Sequence, residues 1–85
     1  MSKPEKLSPI PPGEMLRDAL NGAGFTINAA ALKMGISYQR LSGIVNGHAA
    51  ITPYIAERLA RLFDTSAQLW LNLETRYERE LAEDQ

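Results

Sequence analysis

Eighty-five residues carrying nine basic and ten acidic side chains, a formal charge of −1 and no cysteine suffice for one modest core and not for a second domain. Disulfides and thiolate metal sites are excluded, and the apolar runs are too short for a membrane span or the apolar stretch of a secretion signal. A charge this close to zero also argues against a polyanion binder that works by bulk attraction. The default expectation is a cytoplasmic, all-α protein with its charges locally arranged. Between Thr26 and Arg61 stand Lys33, Arg40, Arg58 and Arg61 against Glu57, a local +3, whereas Glu74 to Gln85 holds five acids against two arginines, a local −3.

In chain order, residues 1–11 contain Pro4, Pro9, Pro11, two lysines and little that is apolar. They read as an extended or flexible arm, either simply solvated or reaching along a nucleic-acid backbone. A first helix is expected from Pro12-Gly13-Glu14, because proline suits a first turn and an early carboxylate suits the positive end of the helix dipole. Met15, Leu16, Ala19 and Leu20 supply its apolar face, and Asn21 to Gly24 end it. Thr26 then offers an N-cap hydroxyl to a helix whose last apolar residue is Met34. Gly35 follows, able to take a left-handed backbone at the C-terminal cap. Ser37 supplies a second N-cap before Tyr38-Gln39-Arg40-Leu41. Stop, three-residue turn and start in that order describe a helix-turn-helix.

The apolar pattern agrees. Ala30, Ala31 and Met34 share one face of the first of these helices, and Leu41, Ile44 and Val45 share one face of the second. Ile36 fills the corner, and Ala31 is small where the helices must cross. An ordinary pair of helices with no partner would show the same pattern. Asn46 to Ile51 reads as a loop, and Thr52-Pro53 restarts a helix whose buried stripe is Ile55, Leu59, Leu62 and Phe63. Thr65-Ser66-Ala67-Gln68 has capping-box spacing and opens a last helix over residues 66–82. Leu69, Trp70, Leu71, Leu73, Tyr77 and Leu81 give this helix more apolar surface than one small domain easily covers. Either Trp70 completes the core, or Leu69, Trp70, Leu73 and Tyr77 meet a second subunit. Residues 83–85 form a short tail.

The sequence offers no catalytic or cofactor site. His48 stands alone in a polar loop, which makes a transition-metal site improbable. Glu78, Glu80, Glu83 and Asp84 have no nucleophile or base beside them and read as solvated. Gly22 and Gly24 lack the lysine and hydroxyl of a phosphate loop. The chain reads as a non-enzyme. The helix-turn-helix does carry chemistry, because in this motif the second helix enters the major groove by its N-terminal end. Its outward residues are Tyr38, Gln39, Ser42, Gly43 and Asn46. Gln39 suits a bidentate contact with adenine, and Tyr38 suits a thymine methyl or a phosphate. Arg40 can serve a base or the backbone. Asn28, Lys33, Ser37 and the first N–H groups of the preceding helix suit phosphate oxygens. With so few cations the salt dependence per subunit should be shallow, which makes dimerisation necessary for useful affinity.

Pro12-Gly13-Glu14-Met15-Leu16, the hinge, Asn46-Gly47, Ile51-Thr52-Pro53 and Thr65-Ser66-Ala67-Gln68-Leu69-Trp70-Leu71-Asn72-Leu73 followed by Tyr77 together resemble a HigA-type antitoxin of the Xre helix-turn-helix superfamily. The resemblance covers about residues 10–82. It implies a five-helix, lambda-repressor-like domain over residues 12–82, with its helix-turn-helix unit at 26–47 and a C-terminal helix suited to dimerisation. It also implies a homodimer that binds double-stranded operator DNA, represses its own operon and neutralises a RelE-like (HigB-type) mRNA-cleaving toxin. The family's DNA contacts fall on Asn28, Ser37, Tyr38, Gln39, Arg40, Ser42 and Asn46. Three positions depart from the family: Ile27 replaces a glutamine, His48-Ala49-Ala50 replaces a loop that often carries cations, and Pro11 replaces a histidine. Two other classes remain open, a toxin-inhibiting module without operator binding and an Xre-type repressor with no toxin.

Overall fold

A computed structural model describes residues 9–83. Among them are five helices and no strand: α1 (Pro12–Ala23), α2 (Ile27–Met34), α3 (Tyr38–Val45), α4 (Pro53–Phe63) and α5 (Ala67–Glu83). The arm expected over residues 1–11 lies outside the described residues except for Pro9 to Pro11, as does the tail except for Glu83.

The helix boundaries follow from local chemistry. Thr26 Oγ1 accepts the Ala29 N–H at 3.0 Å, Ser37 Oγ accepts that of Arg40 at 3.1 Å and Thr52 Oγ1 accepts that of Ile55 at 3.3 Å. Each bond satisfies one of the first-turn donors that a helix leaves free, and each contributes about 1 kcal/mol. Gly24 and Gly35 end α1 and α2 in the left-handed region, at φ 79° and 72°. The end of α1 lies later than its composition suggests, with Asn21, Gly22 and Ala23 still helical. At the start of α5 the expected pairing of Thr65 with Gln68 does not form. Ser66 Oγ instead accepts the Leu69 N–H at 3.1 Å, while Gln68 donates along the helix to Asn72.

Leu16, Leu20, Leu41, Ile55 and Leu59 are fully buried, one or two from each of α1, α3 and α4. Burying a side chain of this size contributes about 1.5–3 kcal/mol. Ala30, Ala31 and Met34 close the core from α2, and Ile36 lies half-buried at the corner. Met15, expected on the inner face of α1, is instead 51% exposed. Met15 directly precedes Leu16 and so lies about 100° round the helix from it, whereas the residues of α1 that become buried are Pro12, Gly13, Leu16 and Leu20.

Trp70 settles into this core at 3% exposure. Its ring lies 5.7 Å from that of Phe63, and its indole N–H donates to Thr65 Oγ1 at 3.0 Å. Of the two readings of Trp70, the fold takes the core position and corrects the subunit anchor: the chain itself encloses the indole, Thr65 accepts its N–H, and Ser66 caps α5.

Candidate nucleic-acid interface

Within the hinge itself, α2 and α3 are joined by backbone and cap hydrogen bonds. The N–H groups of Gly35 and Ile36 return to the carbonyls of Leu32 and Ala31, at 3.2 and 3.0 Å, closing α2. Two residues later Ser37 opens α3, and Tyr38, Gln39 and Arg40 stand exposed on its first turn. Tyr38 is about half exposed, and neither it nor Gln39 makes a side-chain hydrogen bond to another described residue. Asn28 is exposed on the first turn of α2. A surface with an exposed amide, phenol and guanidinium at one helix start has the donors that base edges and phosphate oxygens require.

The other expected contacts are placed differently. Lys33 lies in the last turn of α2 and lines a cleft with Phe25, Arg58, Arg61 and Leu62. Ser42 and Asn46 come together at the C-terminal end of α3, where Asn46 Nδ2 donates to Ser42 Oγ at 3.1 Å. Asn46 Oδ1 in turn accepts from Arg17 Nη2 of α1 at 2.8 Å. Both stay at the surface, Asn46 exposed and Ser42 half-buried, with these polar atoms bonded to each other and to α1.

Sequence reasoning missed the residues that hold the unit from outside. Arg58 on α4 donates to the carbonyl of Met34 at 2.8 Å, placing a cation on the negative end of α2. The same guanidinium lies 4.6 Å from the centre of the Tyr54 ring, and Arg40 approaches that ring from α3 at 6.0 Å. Gly13 lets α1 reach α3: a Cβ there would run into the carbonyl oxygens of Ile44 and Val45. Glu74, almost fully buried on α5, accepts the N–H of Ile51 at 2.9 Å and so fixes the loop that leaves α3. Loss of solvation raises its pKa above the ordinary carboxylate value, the Ile51 N–H opposes that rise, and the nearby charge of Glu78 adds to it. Only the spacing of a buried polar residue on an apolar stripe, Trp70 to Glu74 to Tyr77, hinted at it.

A family model described as helix-turn-helix matches residues 16–70. Virulence-associated protein I of Dichelobacter nodosus is 40% identical over 75 residues, covering 87% of this chain and 69% of the relative. An addiction module antidote protein of a HigA family from Coxiella burnetii has the same fold with a TM-score of 0.85 and 36% identity, over 89% of this chain and 84% of that one. The chain belongs to the HigA family of helix-turn-helix proteins. Antitoxin HigA of Pseudomonas aeruginosa, whose structure was solved with the higBA promoter, superimposes with a TM-score of 0.83 and 40% identity over 87% of this chain and 82% of its own. HigA proteins are regulators and antitoxins, not enzymes.

Proposed function

We propose that this chain is the antitoxin of a toxin-antitoxin pair, which as a homodimer binds operator DNA to repress its own operon and which neutralises a RelE-like, mRNA-cleaving toxin. The observation that carries the DNA-binding half is the exposed first turn of α3, Tyr38 to Arg40, held at a fixed angle by capped helices on both sides of the Gly35 turn. A promoter-bound HigA with the same fold supports the same use here. Tyr38 and Gln39 are the proposed base-reading pair, and Asn28, Ser37 and Arg40 flank them. Dimerisation falls to the partly exposed stripe Leu69, Leu73 and Tyr77 of α5, without Trp70. Two recognition helices should then lie about 34 Å apart, one turn of duplex.

A labelled fragment from upstream of its own gene should be shifted in a gel, and the Gln39→Ala protein should lose about 1–3 kcal/mol at one base position. Unchanged affinity and specificity would remove Gln39 from the reading set. Co-purification with the product of the adjacent gene tests the toxin half. A net charge of −1 and a loop, His48 to Ala50, without lysine or arginine favour one alternative, a toxin inhibitor that does not bind operator DNA. Such a protein would give no sequence-dependent shift even at low salt.

A further inference from the structure

Arg40 occupies the third position of the recognition helix, where a guanidinium can turn either inward along the groove to a base or outward to the backbone. Its surroundings decide between the two. Tyr54, the second residue of α4, is about half exposed and stands beside the start of α3. The ring receives two guanidinium groups: Arg58, one turn further along α4, at 4.6 Å, and Arg40, from α3, at 6.0 Å. Arg58 is fixed independently by its 2.8 Å bond to the Met34 carbonyl. The ring is thus held on the α4 side, and an arginine drawn towards its electron-rich face is drawn towards α4. Among the described residues Tyr38 and Gln39 have no such partner, and both are exposed.

We infer that Tyr54 is a positioning residue that holds Arg40 at the flank of the recognition helix, so that Arg40 grips a backbone phosphate and reads no base. This rests on the DNA-binding reading above, and it narrows the set of residues that carry sequence information. A phosphate contact contributes affinity and salt dependence without discriminating sequence, whereas a base contact contributes affinity for the matching base only. The role of Tyr54 is in its ring: phenylalanine has the same π face and should substitute, and leucine, which has bulk without that face, should not.

The test is a set of binding titrations on the fragment from upstream of its own gene and on single-base variants of it, at several salt concentrations. Arg40→Ala should weaken binding by a similar factor on every variant and lower the magnitude of the salt slope by about 1 per subunit. Tyr54→Ala and Tyr54→Leu should weaken binding about two- to fivefold, again without changing sequence preference. Tyr54→Phe should bind as the original chain does. In an Arg40→Ala background, Tyr54→Ala should have no further effect. A change of preferred base in Arg40→Ala, a loss of binding in Tyr54→Phe, or additive losses in the double variant would each overturn the inference.

A second readout does not depend on DNA. In the free protein the side-chain δ protons of Arg40 should show an upfield ring-current shift by NMR, kept in Tyr54→Phe and lost in Tyr54→Leu, with both variants folded by circular dichroism. Absence of that shift in the original chain overturns the positioning role. Its presence in a protein that shifts no DNA overturns the phosphate contact and the operator-binding reading, and leaves only the contact between the two side chains.

Discussion

The α2–α3 unit and α5 reach their places by different routes. In the first, the cap and turn bonds span three to five residues, Thr26 to Ala29, Ser37 to Arg40 and Ile36 to Ala31, and Arg58 adds a bond to Met34 from α4. In α5 the deciding contacts cross the chain, with Glu74 bound to Ile51 and Trp70 packed on Phe63. A unit held locally can present exposed polar side chains because its geometry does not depend on burying them. A helix held at long range has to spend its apolar and even its acidic side chains on the contact itself.

Substitutions can break that contrast, and the largest effect belongs to α5. Trp70→Ala should cost about 3–5 kcal/mol in chemical denaturation, since it empties a core position and leaves Thr65 without its donor. A loss below about 1 kcal/mol would mean that Trp70 does not complete the core. Gly13→Ala comes next, at about 1–3 kcal/mol. Helix propensity alone favours alanine by about 1 kcal/mol, so any stabilisation would show that α1 and α3 do not meet as closely as described.

Glu74→Leu should cost a similar or smaller amount, about 1–3 kcal/mol, because the buried Ile51 N–H loses its acceptor. Glu74→Gln keeps an acceptor oxygen and should cost far less. The same pair sharpens the electrostatics. A carboxylate whose pKa is raised in the fold binds its proton more tightly folded than unfolded. Stability should therefore fall as pH climbs from the ordinary carboxylate value, about 4.3, through the raised one, and recover on acidification across that window. Glu74→Gln should flatten that part of the profile of melting temperature against pH relative to the parent. The smallest change is expected in the hinge, where Ser37→Ala removes one cap bond and costs about 1 kcal/mol. A much larger loss would show that the hinge, too, depends on distant contacts.

The same contrast decides what was legible in the sequence. Caps act on neighbours, so Thr26, Ser37, Thr52, Gly35 and Pro53 could be read directly, and with them the order and extent of the helices. Thr65 could not. Its spacing to Gln68 is a valid cap signal, but α5 starts one residue later with Ser66 as its cap, and the Thr65 hydroxyl accepts the indole N–H of Trp70. Arg17, Arg58 and Glu74 are likewise ordinary surface charges until the chain closes and sets Asn46, Met34 and Ile51 against them. Of the candidate interface, the start of α3 was visible because it is local. Its flank, Tyr54 with Arg58, was not, because nothing in the spacing of α4 says which helix end it will face.

Gly13 also bears on the polarity of α3. By giving up a side chain it lets the first turn of α1, the partially positive end of that helix, settle on the last carbonyls of α3, the partially negative end of the other. The two helices thus meet head to tail, and the negative pole of α3 is answered inside the protein. Its positive pole, at Tyr38, is left facing outward, which is the polarity an anionic partner would meet first.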